Sequence, residues 1–73
     1  DMTLSPDGSL ILGLVDHRSL WVTPAAGGAP EQVFELDEGG FLMDYPRWSP
    51  LGKRIMFDRY RPAGGDIRVV DGL

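Results

Sequence analysis

The sequence predicts an all-β fold in which one small antiparallel sheet is repeated along the chain. A turn phrase occurs twice, as Ser5-Pro6-Asp7-Gly8 and as Ser49-Pro50-Leu51-Gly52. Each copy precedes an apolar run, and the copies are 44 residues apart (49 − 5), so that Ile55 repeats Ile11. A repeat of about 40–45 residues that couples a tight turn to a strand is typical of one β-propeller blade. We therefore expect four-stranded antiparallel blades, about two of them, with the second incomplete.

The composition narrows the classes of function. The chain has 73 residues, no cysteine and a formal net charge of −4, which predicts one small domain without disulfides. Because nucleic-acid binding requires a basic surface, we expect no nucleic-acid partner. The longest apolar run, residues 10–15, is far shorter than the ~20 residues that span a bilayer, so we expect no membrane insertion. The absence of cysteine leaves the compartment open.

The first repeat contains four predicted strands. Residues 2–4 run directly into the first turn, where Pro6 fixes one backbone angle. Residues 10–15 form a nearly unbroken apolar run, too short for an amphipathic helix, which indicates a strand covered on both faces. Residues 19–23 return by a short hairpin. Residues 31–36 form a more polar strand, as expected where one edge of a sheet faces water.

The second repeat follows a crossover and is one strand short. Residues 37–44 should carry the chain from the outer edge of the first blade to the inner edge of the second. Strands are predicted at residues 45–48, 54–58 and 66–70, and a loop is predicted at residues 59–65. The chain is accordingly divided into a first blade with its crossover, residues 1–43, and a partial second blade, residues 44–73.

Both repeats resemble the TolB-type, WD-like β-propeller repeat. In the second copy the resemblance rests on Trp48-Ser49-Pro50-x-Gly52-Lys53-x-Ile55-x-Phe57 and on Asp66-Ile67-x-Val69-Val70-Asp71. In the first copy it rests on the turn phrase, on Leu20-Trp21-Val22 and on Gly27-Gly28. The match covers nearly the whole chain. One departure is that Leu51 stands where the repeat usually has Asp, which removes a possible side-chain hydrogen bond within the turn.

The resemblance implies four-stranded blades around a central channel, but it does not select one function. TolB itself is a periplasmic binding partner. Prolyl-oligopeptidase-type and tricorn-type peptidases carry similar propellers beside a separate catalytic domain, and some bacterial sensors and amidohydrolases carry them too. A periplasmic or extracytoplasmic location is implied by the resemblance alone. Function must therefore be argued from particular residues.

No residue set predicts catalysis, a metal site or a cofactor. His17 is the only histidine, and its polar surroundings favour a solvated turn residue over a general base. No serine lies in a Gly-x-Ser-x-Gly elbow. The acidic residues between positions 31 and 44 lack the regular spacing of a calcium loop. The paired glycines precede no helix, so they are interpreted as turn residues rather than as a phosphate loop. We expect no enzymatic activity.

One group of residues is predicted to form the core between blades. Its members lie on strands with a period of two, which directs them to one face; they are Leu4, Ile11, Trp48, Ile55 and Phe57. Trp21 is expected to be only partly buried, because Arg68 occupies its position in the second copy.

A second group is the candidate contact with a partner. The predicted loop around Arg59, Tyr60 and Arg61 concentrates basic and aromatic side chains in an otherwise acidic chain. Arginine and tyrosine are enriched at the hot spots of interfaces. An ordinary exposed hairpin loop is the alternative interpretation of the same residues.

Two functions from different classes follow from the predicted architecture. Two blades alone would leave apolar flanks and a strand edge uncovered. The first hypothesis is therefore a non-catalytic interaction and scaffold module that completes a ring with further copies or other chains and then serves as a binding platform. The alternative is a piece of a propeller that gates or positions substrate for a prolyl-oligopeptidase-type or tricorn-type hydrolase. In both cases the partner is protein.

Overall fold

Seven β-strands in two antiparallel sheets make up the described part of the chain. The computed structural model describes residues 2–62 and 64–72, and no helix occurs in them. The strands are β1 (Met2–Leu4), β2 (Leu10–Val15), β3 (Ser19–Pro24), β4 (Glu31–Glu35), β5 (Leu42–Trp48), β6 (Ile55–Arg61) and β7 (Gly64–Val70). Sheet one has the order β1-β2-β3-β4, and sheet two has the order β5-β6-β7. The prediction of an all-β, antiparallel fold is confirmed.

The repeated turn phrase folds in the same way in both copies. Ser5 N donates to Leu10 O at 2.8 Å, and Ser49 N donates to Arg54 O at 2.8 Å. Each serine hydroxyl also accepts a hydrogen bond from the same partner's amide, at 3.0 Å in the first copy and 3.1 Å in the second. The glycine that ends each phrase has positive φ, 78° and then 72°, which glycine adopts without steric cost. The two turns therefore fix the same geometry between a first and a second strand.

The pairing of strands is repeated as well. Leu12 pairs with Val22 in sheet one, and Met56, 44 residues after Leu12 (56 − 12), pairs with Val69 in sheet two. Val69 follows Val22 by 47 residues (69 − 22), so the second copy is three residues longer between these strands. Up to its third strand, sheet two thus reproduces the arrangement of sheet one.

A tight hairpin joins β2 to β3 and also anchors the crossover. Asp16 and His17 both have positive φ, 54° and 56°, as in the type I′ turn whose twist suits antiparallel strands. Leu36 N donates to Arg18 O at 2.7 Å, and Met43 N donates to His17 O at 2.8 Å. The crossover is therefore tied to this hairpin at both of its ends.

The core lies between the two sheets, which pack face to face. The Phe34 ring of sheet one lies against the Phe57 ring of sheet two, with centroids 5.3 Å apart and planes tilted by 41°. Trp48 Nε1 donates to Thr3 O at 3.2 Å and links β5 to β1. Both repeats contribute to this single core. Its buried apolar members in the described chain are Leu12, Leu20, Val22, Leu36, Met43, Ile55 and Phe57.

The hairpin of sheet two is longer than the sequence predicts. The prediction of a loop at residues 59–65 is wrong, because Arg59 pairs with Asp66 and Tyr60 pairs with Gly65. Opposite charges directly across two strands stabilise their pairing. Gly65 has no side chain, and a Cβ there would collide with the backbone of β6. The glycine that was interpreted as a turn residue therefore allows the ladder to continue.

β5 also begins earlier than predicted and contains a bulge. Its pairing with β6 starts within residues 37–44, which were assigned to the crossover, and shifts register between Asp44 and Arg47. Tyr45 lies in this shift with a φ of 52°. Pro46 cannot donate a hydrogen bond to a ladder, so an irregularity at this point accommodates it.

Candidate interaction surfaces

Apolar side chains also lie on the faces that the two sheets turn away from each other. We call these surfaces outer face one, on sheet one, and outer face two, on sheet two. The residues of each face follow from the strand register. Outer face one carries Met2, Leu4, Ile11, Gly13, Val15, Ser19, Trp21 and Thr23. Outer face two carries Leu42, Asp44, Arg47, Met56, Asp58, Tyr60, Ile67 and Val69.

Outer face one is uncharged across β1, β2 and β3, and Ser19 and Thr23 of β3 are its polar members. Leu4 is 56% exposed and Val15 is 46% exposed, although both are large apolar residues. Trp21 is half-buried, and its Nε1 donates to the Ser19 hydroxyl at 2.9 Å. Gly13 pairs with Trp21, and a Cβ at Gly13 would find no atom within 4 Å. The surface is therefore mostly apolar, with open space beside the indole.

Outer face two combines apolar residues with one ion pair and with the carboxylate of Asp44, which lies across from Asp58. Ile67 is 61% exposed and Val69 is 52% exposed. Arg47 Nη1 lies 3.1 Å from Asp58 Oδ1, and both side chains are about 40% exposed. The pair neutralises its own charges at the centre of the face. The remaining surface around Met56 is available for apolar contact.

The positions of outer face one match the positions by which sheet two packs on sheet one. Leu4 pairs with Ile11, and Trp48 pairs with Ile55. The 44-residue offset relates Leu4 to Trp48 and Ile11 to Ile55. Ile55 is fully buried against sheet one. Sheet one therefore turns toward solvent the same face that sheet two buries.

The positions of outer face two match the other half of the same interface. By strand register, Met56 corresponds to Leu12, Ile67 to Leu20, and Val69 to Val22. All three residues of sheet one are buried in the core, whereas Ile67 and Val69 are exposed. Each outer face is thus a copy of one side of the contact already made within the chain.

Two residues predicted for the core between blades do not join it. Ile55 and Phe57 are 0% and 1% exposed, and Trp48 is half-buried at the contact between the sheets. Ile11 is half-buried and Leu4 is exposed, because both lie on outer face one, which nothing in the described chain covers. The period-2 pattern identified the correct face of each sheet, but only sheet two has a neighbour on that face.

The predicted partner contact of Arg59, Tyr60 and Arg61 does not form one patch. The three residues lie in β6, where successive side chains point to opposite faces. The guanidinium carbons of Arg59 and Arg61 lie 4.4 and 4.8 Å from the centroid of the Phe41 ring. Tyr60 belongs to outer face two. The structure therefore separates the tyrosine from both arginines.

Arg59 is occupied by the chain's own carboxylates. Its Nε and Nη2 donate to Asp66 at 2.9 and 2.7 Å, and its Nη1 donates to both oxygens of Glu38 at 2.7 and 2.6 Å. Hydrogen bonds to Asp66 and Glu38 raise the pKa of Arg59, and the bonds from Arg59 lower the pKa of Asp66. With its side chain 13% exposed, Arg59 holds the crossover to the β6–β7 hairpin rather than presenting a charge to a partner.

The first turn phrase is stabilised by a carboxylate that the second lacks. Asp7 Oδ1 accepts hydrogen bonds from Ser9 Oγ at 2.7 Å, from Ser9 N at 2.9 Å and from Ser5 Oγ at 2.8 Å. These bonds hold the pKa of Asp7 below its ordinary value, those from Ser9 most strongly. At the matching position Leu51 is 83% exposed. These hydrogen bonds and the positive φ of both glycines define the two turns. The residues predicted to form the turns are Ser5, Pro6, Asp7, Gly8, Ser49, Pro50 and Gly52.

His17 contacts the backbone of β5. Its Nδ1 lies 3.1 Å from Met43 O, so the imidazole faces a carbonyl and not a hydroxyl that it could activate. In the part of the chain that the structure describes, no three histidine, cysteine, aspartate or glutamate side chains are grouped so that they could hold a metal ion. No helix capable of crossing a membrane is found among the described residues.

No family model, curated protein or solved structure matches this chain. The two outer faces are therefore the features from which a function is inferred. Their correspondence could have been found from the sequence by applying the 44-residue offset to the first two strands and a 47-residue offset to the third. The stacking of two arginines on Phe41 has no such signal, because it depends on where the crossover places the ring.

Proposed function

We propose that this chain is a non-catalytic interaction module made of two TolB-type propeller blades, and that its outer faces are its binding surfaces. The observation that supports the proposal is the repetition of core positions on both outer faces. Leu4 and Ile11 stand where Trp48 and Ile55 stand in the core. A protein sheet that covers either face would therefore meet side chains already placed for sheet-on-sheet packing.

The energetic reason for binding is the apolar surface left in water. Fully burying a Val, Leu or Ile side chain contributes about 1.5–3 kcal/mol. Outer face one exposes Leu4 and Val15, and outer face two exposes Ile67 and Val69. Such residues gathered on two faces favour association, whereas scattered ones would need no explanation. The resulting stack of sheets would be a propeller whose rim and channel form the binding platform.

A tandem chain tests whether the outer faces accept a sheet of this kind. Pro46 of sheet two corresponds to Met2 of sheet one (46 − 44 = 2). Residues 25–45 lie between the end of β3 and Pro46. A chain of residues 1–71, a copy of residues 25–45 and then residues 2–73 would continue the repeat in phase. We expect its Tm to exceed that of the single chain by about 5 °C or more, because outer face two of the first copy becomes covered by outer face one of the second.

The matched control uses one substitution in two places. Val69→Lys in the first copy of the tandem introduces a charge at the internal junction and should abolish the gain in Tm. Val69→Lys in the second copy leaves the junction intact and should retain the gain. A tandem with the Tm of the single chain, or equal effects of the two substitutions, would refute the assignment of the outer faces as binding surfaces.

A further inference from the structure

We propose that the occupant of each outer face is a second copy of this chain, joined head to tail, with outer face one of one copy on outer face two of the next. This inference rests on the proposed function and names its partner. The repeat supports it directly, because the two surfaces that would meet are copies of the two sides of the contact inside the chain. Met56 takes the place of Leu12, and Ile11 takes the place of Ile55.

The geometry requires unlike faces to meet. Within the chain, one side of sheet one packs on the opposite side of sheet two, so the contact is heterologous. Pairing outer face one with itself would not reproduce that arrangement. A heterologous contact leaves one free face at each end, and it continues until the assembly closes into a ring or grows as an open series. A symmetric dimer that buries only one kind of face is therefore not expected.

Charge should make the association reversible and dependent on salt. Each copy carries a formal charge of −4, so copies repel one another, and this repulsion is screened as ionic strength rises. At the junction, the Arg47–Asp58 pair stands where sheet one has Thr3 and Leu14, which carry no charge, and its desolvation opposes docking. The contact between copies should therefore be weaker than the contact inside the chain. Association is expected to strengthen with added salt.

The test is sedimentation velocity of the intact chain between about 10 μM and 1 mM, at low and at high salt. Leu4→Lys changes outer face one, and Val69→Lys changes outer face two. Both positions are more than half exposed, so neither change should prevent folding. Each variant alone should associate at least about tenfold more weakly than the parent. Leu51→Lys is the control, since it adds the same charge at an 83% exposed turn position away from both faces, and it should associate like the parent.

Mixing the two variants identifies the polarity of the contact. The Leu4→Lys chain keeps a normal outer face two, and the Val69→Lys chain keeps a normal outer face one. An equimolar mixture should therefore form one intact junction and stop at a species of two chains. If the contact is head to tail, sedimentation of the mixture should show a species with the mass of two chains.

Three results would overturn the inference. A parent chain that stays monomeric at about 1 mM in high salt would exclude a second copy as the occupant, while a stabilised tandem would still support the outer faces as binding surfaces. Loss of association in only one of the two lysine variants would indicate a symmetric contact of a single face. Failure of the mixed variants to form the two-chain species would exclude the proposed polarity.

Discussion

At the scale of single residues, the two turn phrases differ at one position. Asp7 gathers three hydrogen bonds in the first turn, and Leu51 replaces it in the second. The backbone hydrogen bonds of the two turns are nevertheless the same. The turn therefore forms without the carboxylate, and we expect the carboxylate to add stability that depends on its charge.

The carboxylate of Asp7 should make the free energy of unfolding depend on pH. Its pKa is lowered in the folded state, so its contribution is fully present above the unfolded-state pKa of about 3.9 and is lost as the pH falls through the lower folded-state value. Asp7→Asn keeps an acceptor atom but has no charge to lose. We expect the parent to be more stable than Asp7→Asn at pH 6, with the difference shrinking below about pH 4.

Urea unfolding at a series of pH values measures this difference. Asp37→Asn serves as the control, because no hydrogen bond among the described residues reaches the Asp37 carboxylate. A difference between the parent and Asp7→Asn that stays constant from pH 6 to below pH 3 would contradict the role assigned to the charge.

At the scale of elements, the crossover is held by a cation between two carboxylates. Arg59 joins Glu38 of the crossover to Asp66 of β7, and its guanidinium stacks on Phe41. Arg61 stacks on the same ring but takes part in no ion pair among the described residues. We expect Arg59→Ala to lower the urea midpoint of unfolding and Arg61→Ala to leave it nearly unchanged. Equal effects of the two substitutions would mean that stacking on Phe41, not the ion pairs, secures the crossover.

The same two strands explain where prediction from the sequence succeeds and where it fails. The start of β6, from Ile55 to Phe57, is visible as a strand because it is a short apolar run that follows a turn phrase. Its second half, from Asp58, is polar and leads to the Gly64-Gly65 pair, which by local pattern indicates a loop. What extends the ladder is the cross-strand pairing of Arg59 with Asp66, together with a crossover that supplies Glu38. Such contacts depend on the assembled sheet, and no local pattern contains them.

The outer faces also show that a sequence pattern does not reveal which contacts form in the folded chain. The repeat predicts that Leu4 and Ile11 belong to a face that packs against another sheet, and it assigns them to the correct face. It cannot indicate whether that sheet lies within the chain. The arginine–tyrosine phrase in β6 was grouped by adjacency in the sequence, whereas alternation along a strand sends Tyr60 to outer face two and the arginines to Phe41.

At the scale of the whole molecule, the two repeats share one core, and we expect them to unfold together. A sheet of three or four strands is only marginally stable without a packed face, and here each sheet supplies the other's cover. Phe57 in β6 is 1% exposed and contacts Phe34 in β4. Phe57→Leu should therefore lower the free energy of unfolding by about 1 kcal/mol. Sheet one and sheet two should lose the same amount of stability.

Native-state hydrogen exchange distinguishes shared from separate unfolding, because each amide reports the opening that exposes it. With Phe57→Leu, the most protected amides of β2 and β3 in sheet one should lose as much protection as those of β6, where the substitution lies. Leu51→Ala, at an exposed turn position, should change protection by less than about 0.5 kcal/mol in either sheet. A loss confined to β5, β6 and β7 would mean that the sheets open independently. The intact chain would then present its inner faces to solvent as well, and the outer faces would no longer be its distinctive binding surfaces.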